Sequence, residues 1–322
     1  MPADTLSDVL TTVRMTGAVF FNVTAREPWV AEQLSKDIVL PMLLKGAEHM
    51  ISYHIITGGR CYACITGGDV IELTAGQVIV FTRGDTHVMS SSPGMRAEPI
   101  SRDEIPSCAD LPFRASFGDE GPTTARVTCG FLACDVRPFN PLIENLPPVL
   151  VADSNRGGPM PWLTELARSA VSEAEAHRAG SNSVLSKLTE LMFIEVVRQY
   201  VERLPPEQSG WLAGLRDPLV GRALSHLHGD PAHDWDVESL GRVAGASRSE
   251  LAERFTCFVG IPPMQYLAKW RMQIASGLLA SNANIGRVAE EVGYGSEAAF
   301  SRAFKKIVGV PPSIWREQHL VV

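Results

Sequence analysis

Residues 240–266 read LGRVAGASRSELAERFTCFVGIPPMQY, and the same pattern returns 49 positions later, at 289–315, as AEEVGYGSEAAFSRAFKKIVGVPPSIW. Both copies share a serine, a phenylalanine eight residues further on, and a Gly-x-Pro-Pro sequence. Each copy reads as a short apolar helix, a turn that contains glycine, and a second helix with the serine as its N-cap. The sequence therefore predicts two helix-turn-helix units.

The stretch between the copies predicts one connecting helix from Pro262 to Ser281. Proline suits the first turn of a helix, and apolar residues follow at helical spacing. These residues are Met264, Leu267, Trp270, Ile274, Leu278 and Leu279. Twenty helical residues span about 30 Å, close to the roughly 34 Å between successive major-groove faces of a duplex. One chain could thus present two reading helices to adjacent turns of DNA, although two ordinary amphipathic helices of an all-α domain remain the alternative.

The second helix of each unit is the predicted DNA reader. Its inner face carries Leu251, Phe255 and Phe258 in the first copy, and Phe300, Phe304 and Ile307 in the second. Arginine and lysine on the outer face can bind guanine or phosphate, and small residues allow close approach. The candidate contacts are Ser247, Arg248, Ser249, Ala252 and Glu253 in the first reader and Ser296, Glu297, Ala298, Ser301, Arg302 and Lys305 in the second.

Four segments resemble the DNA-binding domain of AraC/XylS-type transcription regulators. They are GASRSELAERF (245–255), YLAKWRM (266–272), IGRVAEEVGY (285–294) and FSRAFKKIVGVPP (300–312). The resemblance covers about a third of the chain and implies base or backbone contacts by Arg248, Ser249 and Glu253, and by Glu297, Ala298, Ser301 and Arg302. Glu253 stands where many members have a basic residue. We therefore expect the second reader to contribute more of the affinity.

Charge divides unevenly along the chain. The net charge of −7 arises from residues 1–210, which hold 17 Lys and Arg against 25 Asp and Glu, while residues 211–322 hold 12 against 11. A surplus of one positive charge is small for a module whose affinity rests largely on phosphate contacts. Operator affinity is therefore predicted to need two chains on two half-sites.

Residues 16–150 are rich in β-branched residues and glycine turns, which is typical of a small barrel or jelly roll. The predicted strands are Met50–Thr57, Arg60–Thr66, Val70–Thr74, Val78–Phe81 and Arg126–Ala133. GQVIVFTRGDTH (76–87) resembles the second motif of cupins, with Thr82 in place of the usual proline. With 53–62 and 129–131, it is similar to the cupin-like sensor domain that precedes the DNA-binding domain in one AraC-type subgroup.

His87 lies where metal-binding cupins place a ligand, and strand alternation would let His54 converge with it. Zinc needs four ligands, or three and a water, so a zinc or thiol sensor would add cysteines from the set Cys61, Cys64, Cys129 and Cys134. The cupin-like subgroup includes regulators that respond to oxidants through cysteine, which makes an oxidant another candidate signal. An organic effector bound near His54, His87 and Cys61 is a further alternative. The chain has six cysteines, and free buried thiols that pack as small hydrophobes would require none of these roles.

Two helices are predicted between the outer regions, over Pro159–His177 and Asn182–Arg203. Their apolar stripes could cover the open end of the barrel. The resemblance to AraC-type regulators instead implies a dimer interface at this place. The expected fold class is α+β multidomain, with a cupin-like β-barrel at 1–150, a helical dimerisation segment at 151–207, and an all-α double helix-turn-helix domain at 208–322.

Motifs of common catalytic sites were not found: the sequence has no Walker A loop, Gly-x-Ser-x-Gly elbow, dinucleotide fingerprint or His-Glu-x-x-His. The N-terminus does not read as a secretory leader, and no apolar run approaches a membrane span. We expect a cytoplasmic, non-enzymatic transcription regulator with no membrane association. Its expected partners are double-stranded operator DNA, a second copy of the chain, an unknown effector and, for an activator, RNA polymerase. Alternatives are a cupin-type metal enzyme with an appended helical domain, and a regulator without a ligand.

Overall fold

A computed structural model describes residues 4–13, 15–33, 36–43, 47–97, 113–118, 121–134, 138–153, 162–176, 178–205 and 207–319. These residues form two compact units. The sheet unit comprises the described parts of Met15–Asp135 and Leu146–Arg203. The helical unit comprises those of Met1–Arg14, Val136–Asn145 and Leu204–Val322. The domain limits drawn from the sequence stay a prediction.

The sheet unit has nine strands in the described ranges: β1 Met15–Arg26, β2 Val30–Glu32, β3 His49–Ile65, β4 Ile71–Thr74, β5 Gln77–Phe81, β6 His87–Ser90, β7 Phe113–Phe117, β8 Thr123–Cys134 and β9 Val149–Asp153. Their order is β2-β6-β3-β8-β1-β7, with β4 and β5 also on β3, and β9 on β5. The first half of β3 pairs with β5 and β8, and its second half with β4 and β6. This change of partners curls the sheet into a cupin-like half-barrel, as the resemblance implied.

Two of the predicted strands, Met50–Thr57 and Arg60–Thr66, are a single strand in the structure. Gly58 and Gly59 lie within this strand and do not form a turn. Instead, the pairing of β3 with β8 shifts register between Ile56 and Gly58. Gly59 has φ +72°, and a Cβ there would lie 1.9 Å from the carbonyl oxygen of Thr124. A side chain does not fit at this close approach, so the glycine pair serves a strand irregularity that periodicity cannot distinguish from a turn.

The helices of the described residues are α1 Thr5–Thr12, α2 Lys36–Leu43, α3 Pro141–Asn145, α4 Trp162–Ala176, α5 Ser181–Arg203, α6 Trp211–Gly214, α7 Pro218–Gly229, α8 Val237–Ala244, α9 Arg248–Val259, α10 Pro263–Ala280, α11 Ile285–Glu291, α12 Glu297–Val308 and α13 Pro312–His319. None of these described helices has the length and apolar character that crossing a membrane requires.

Both helices predicted between the outer regions are present, as α4 and α5; residues 159–161 and His177 lie outside the described ranges. One face of α5 packs on the sheet, where the hydroxyls of Tyr53 and Thr189 lie 3.1 Å apart. The buried apolar residues of this face are Leu185, Met192, Phe193, Val196 and Val197. Strand alternation turns Tyr53 towards α5 and its neighbour His54 towards the opposite face of the sheet.

The helical unit contains the two predicted repeats, α8–α9 and α11–α12, joined by α10. The connecting helix is one residue shorter at each end than predicted, and its 18 residues span about 27 Å. The second repeat packs around Phe300 and Phe304, both fully buried, with residues of α10 and Trp315 of α13.

A segment that lies between β8 and β9 in sequence belongs to the helical unit. The amide of Phe139 donates to Oε1 of Gln273 on α10 at 3.0 Å. Oδ1 of Asn145 accepts from the amide of Trp211 at 3.3 Å. This placement was not predictable, because the segment has no helical or strand periodicity of its own.

Candidate nucleic-acid interface and effector cavity

The two reading helices begin with the predicted serine caps. Oγ of Ser247 accepts from the amide of Glu250, and Oγ of Ser296 accepts from the amide of Ala299, each at 3.2 Å. Both helices end at a glycine in the left-handed region, Gly260 at φ 81° and Gly309 at φ 95°. Because the two serine hydroxyls are used as caps, these residues position the helices in addition to lying at the candidate interface.

Most candidate DNA contacts are on the solvent side. The exposed residues are Ser247, Arg248, Ser249 and Glu253 in the first unit and Ser296, Glu297, Ala298, Arg302 and Lys305 in the second, while Ala252 and Ser301 are half-buried. Among the described residues, no ion pair or side-chain hydrogen bond ties Arg248, Arg302 or Lys305 to the protein. Their charges are therefore available to a ligand.

Arg254 of α9 is held in an ion pair within the protein, whereas Arg302 and Lys305 on α12 are not. Its Nε and Nη2 donate to Oδ2 of Asp217 at 3.0 and 2.6 Å. The other charged residues of α9 are one cation, Arg248, and two anions, Glu250 and Glu253. By contrast, α12 carries three cations and one anion: Arg302, Lys305, Lys306 and Glu297. This difference supports the expectation that the second reader contributes more of the phosphate affinity.

Arg271 of α10 connects the two helix-turn-helix units. Its Nε donates to the carbonyl oxygen of Pro231 at 2.7 Å and its Nη2 to that of His233 at 2.9 Å, both in the loop before α8. Its Nη1 also donates to the carbonyl oxygen of Gly293, in the turn before α12, at 3.4 Å. Sequence reasoning missed this role, although Arg271 lies inside the YLAKWRM segment.

The sheet unit holds a cavity of about 220 Å³ on the face opposite α5. Its apolar lining comprises Phe21, Val23, Trp29, Ala31, Met89, Ala115, Phe117, Val127, Cys129 and Phe131. Its polar lining comprises Glu32, Gln33, His54 and His87. An apolar chamber with a few convergent polar groups is the usual form of a small-molecule site. Glu32 and Gln33 were not anticipated, because the short strand β2 has no alternation long enough to read.

His54 and His87 converge as predicted, and their Nε2 atoms lie 2.6 Å apart. Burial lowers the pKa of His87 to about 4. Burial, together with the neighbouring His87, holds the pKa of His54 well below its ordinary value. The two rings are thus neutral near pH 7, and one donates a hydrogen bond to the other.

The four candidate cysteines do not join the histidines equally. Cys129 lines the cavity and lies opposite His54 in the pairing of β3 with β8. Cys61 lies in the neighbouring apolar core, while Cys64 pairs with β6 and Cys134 with the start of β1. Cys108 is outside the described residues. Burial raises the pKa of the Cys61 and Cys129 thiols to about 12, and a protonated thiol is the less reactive form.

Within the described ranges, no group of three or more His, Cys, Asp or Glu residues is arranged to hold a metal ion. Two histidines in direct hydrogen bond already use the nitrogen atoms that would face a shared ion. The donor set that the described residues present does not fit zinc, which requires at least three protein ligands.

The outward face of α5 exposes apolar residues. Val184 is 45% exposed and Leu191 44%, and the half-buried Leu188 lies between them on the same face. A groove beside this face is bordered by charges of both signs, from Glu165, Arg168, Glu173 and Arg178. The described α5 therefore covers the sheet with one face and leaves an apolar strip on the other.

Two family profiles match this chain. A profile described as Cupin matches residues 4–202, and one described as a helix-turn-helix domain matches residues 240–318. Together they cover both halves of the sequence.

Three relatives are similar over 85–98% of this chain. A Streptomyces lividans protein named as an AraC-like transcription regulator is 32% identical over 320 residues, 98% of either chain. AlkR, an HTH-type transcriptional regulator of Acinetobacter baylyi, is 26% identical and covers 98% of this chain and 99% of its own. RclR of Escherichia coli, named an RCS-specific HTH-type transcriptional activator, is 26% identical over 85% of this chain and 86% of its own.

Solved structures show weaker overall similarity. ToxT from Vibrio cholerae is 10% identical and covers 97% of this chain and 100% of its own, with a TM-score of 0.34. The DNA-binding domain of AdpA, solved with a target DNA, is 29% identical over 31% of this chain and 91% of that domain, with a TM-score of 0.30.

Proposed function

This chain belongs to the AraC-like transcription regulators and has a cupin-type N-terminal region, and from that premise we propose that it binds operator DNA as a homodimer under the control of a small molecule. Its family makes it a DNA-binding regulator. The residues that read DNA, the dimer and the effector are the parts proposed here.

The observation that carries the DNA-binding proposal is the pair of capped reading helices, whose basic candidate contact residues have no partner among the described residues. Arg302 and Lys305 extend from α12, and Arg248 from α9, without protein partners in the described structure. The spacing imposed by α10, about 27 Å of helix, suits two consecutive major grooves. We assign sequence reading mainly to Arg302 and Ser301 and phosphate anchoring to Lys305.

The cavity of the sheet unit supports an organic effector over a metal or an oxidant. Its lining is mostly apolar, its two histidines bond each other, and the Cys129 thiol that reaches it is held protonated by burial. A ligand regulates only if it binds the two arrangements of the dimer with different affinities. Enzyme chemistry is not part of the proposal, since the relatives are named as regulators.

A second copy of the chain is the proposed occupant of the exposed strip on α5. A twofold interface pairs a surface with itself, so it must be self-complementary. The strip meets this condition, because apolar Val184 and Leu188 lie beside groups of both signs, among them Arg168 and Glu165. Two chains would also supply the second half-site that a weakly charged DNA-binding domain needs.

The experiment selects duplexes bound by the full-length protein from a random pool, then measures affinity for the enriched sequence. Arg302→Ala is expected to weaken binding by about 1–3 kcal/mol and to relax preference at one base position. Arg60→Ala is the matched control, because Arg60 is an exposed arginine of the sheet unit. Absence of any enriched sequence would overturn the proposed function.

A further inference from the structure

The hydrogen-bonding groups at the polar end of the cavity determine what kind of ligand it accepts. Glu32 is already held, because Nη2 and Nε of Arg96 donate to its two carboxylate oxygens at 2.6 and 3.2 Å. Nε2 of Gln33 donates to Oγ of Ser52 at 2.8 Å. The amide of Gln33 therefore keeps its acceptor oxygen and a second N–H for a ligand.

The histidine pair has its protons fixed by geometry. Nδ1 of His87 lies 3.1 Å from the carbonyl oxygen of Asp85, and a carbonyl only accepts, so this nitrogen carries the proton. In a neutral ring, Nε2 of His87 is then an acceptor. The 2.6 Å bond between the rings therefore runs from Nε2–H of His54 to Nε2 of His87.

Nδ1 of His54 is consequently left with a lone pair. Among the described residues, no hydrogen bond reaches this atom. It belongs to a side chain that lines the cavity, and with Gln33 it gives the polar end two acceptors. Burial keeps both histidines neutral, as their lowered pKa values indicate.

Resting on the proposed function, we propose that the effector is an uncharged, mostly apolar molecule with one hydrogen-bond donor, such as a phenol or alcohol hydroxyl, given to Nδ1 of His54. A carboxylate would lose its hydration against the lone pair of His54 Nδ1 in a mostly apolar chamber, which is unfavourable. A cation would also lose its hydration on entering the cavity, which is unfavourable. Glu32 would not compensate it, because Arg96 already neutralises that carboxylate.

The volume sets the size of this molecule. A cavity of about 150 Å³ holds benzene in another protein, so a chamber of about 220 Å³ fits roughly nine non-hydrogen atoms by proportion. 4-Ethylphenol has this size and carries one donor. 4-Ethyltoluene has the same shape with a methyl group in place of the hydroxyl, and benzoate has the same number of non-hydrogen atoms but carries an anion.

The test is calorimetric titration of the full-length protein with these three compounds at pH 7.5. The expected result is that 4-ethylphenol binds about tenfold more tightly than 4-ethyltoluene, the size of one neutral hydrogen bond, and that benzoate does not bind. The inference would be overturned by equal binding of 4-ethylphenol and 4-ethyltoluene, by tighter binding of benzoate, or by no binding of 4-ethylphenol.

Two variants locate the donor contact. His54→Phe combined with His87→Phe keeps both rings, removes Nδ1 of His54 and also removes the His87 lone pair that the single variant would free. It is expected to bind 4-ethylphenol and 4-ethyltoluene equally. His54→Asn places Oδ1 where Nδ1 was, and is expected to restore the preference for phenol. Retention of the preference for 4-ethylphenol by the folded double variant would contradict an acceptor in the histidine pair, and its absence in His54→Asn would contradict the assignment of Nδ1.

Operator binding, measured on the same samples, separates this inference from the proposed function. A protein that binds its operator but shows no phenol preference leaves the regulator assignment intact and refutes the ligand class. A protein that shows the preference but selects no operator supports the ligand site and refutes the proposed function.

Discussion

Arg254 and Asp217 join the first reading helix to α7 through two hydrogen bonds, at 3.0 and 2.6 Å, from one guanidinium to one carboxylate oxygen. The other oxygen of Asp217 caps α7 by accepting from the amides of Leu219 and Val220. Burial raises the pKa of Asp217, but these bonds outweigh burial and the pKa lies below its ordinary value. A basic side chain on a reading helix is thus used to hold the helix in place.

Asp217→Asn is expected to lower the midpoint of thermal unfolding of the helical unit by about 4 °C at pH 7. Asparagine keeps the cap and loses the charge that holds Arg254. Since the folded pKa of Asp217 is lowered, its contribution is present above its ordinary pKa of 3.8 and is lost as the pH falls through the lower folded value. Scanning calorimetry of wild type and variant across pH 7 to 3 should show the two converge, whereas a constant gap would contradict this account.

Glu253→Gln is expected to raise affinity for all duplexes, and most at low salt. The carboxylate is exposed on the outer face of α9, where it would repel phosphates. Fluorescence anisotropy against the operator and a scrambled duplex measures the effect, with Glu72→Gln in the sheet unit as control. A loss confined to the operator would instead show that Glu253 accepts from a cytosine.

Arg271→Met is expected to weaken binding to a site with two major-groove boxes far more than binding to a single box. Without the bonds to Pro231, His233 and Gly293, the second reader is no longer pre-positioned when the first has bound. Gly293→Ala tests the same contact, because a Cβ there would lie 2.4 Å from the carbonyl oxygen of Ala232. Arg287→Met, which alters an exposed pair with Glu291, is the control. Equal losses on both duplexes would remove the positioning role of Arg271.

His228 is expected to make the helical unit less stable in acid. Its Nε2 lies 2.8 Å from the hydroxyl of Tyr266, and burial lowers its pKa to about 3. The unfolded chain binds a proton near pH 6.5 that the folded chain takes up only near pH 3. Stability therefore falls, by about 1.4 kcal/mol per pH unit from this group, as the pH drops through that window. Denaturant unfolding of His228→Phe should show a slope shallower by one proton, and an unchanged slope would exclude His228 as the source.

Leu191→Glu is expected to produce monomers. A charge within the apolar strip of α5 would be buried without a partner in the proposed dimer. Val70→Glu is the matched control, because Val70 is 46% exposed, against 44% for Leu191, and lies between β3 and β4. Sedimentation velocity at several concentrations checks the change. A dimer that persists in Leu191→Glu would place the interface elsewhere.

The helical unit was predictable in detail because its determinants are local. Ser247 and Ser296 cap the helices that follow them by accepting from the amide three residues ahead. The apolar spacing around Trp270 predicts a single helix. The contacts of Arg254 and Arg271 were not predictable, since they join residues 37 and 40 positions apart whose approach depends on how the helices pack.

For the sheet unit, the sequence predicted several of the strands but not how they pair. Short strands bounded by glycine turns, such as β4 and β5, were read correctly, and alternation placed His54 with His87. The pairing of β2 with β6 brings Glu32 opposite Val88, and nothing in the neighbouring residues announces that pairing. The position of Glu32 and Gln33 at the polar end of the cavity depends on this pairing. The chemistry of the ligand could therefore be inferred only from the structure.

Hydroxyl-radical footprinting of the full-length protein on its selected operator tests the central claim most directly. Twin readers joined by α10 predict two protected patches within each half-site, about 10 base pairs apart and on the same face of the duplex, with Arg302→Ala removing the patch of the second reader. A single patch per half-site, or two patches on opposite faces, would contradict the account.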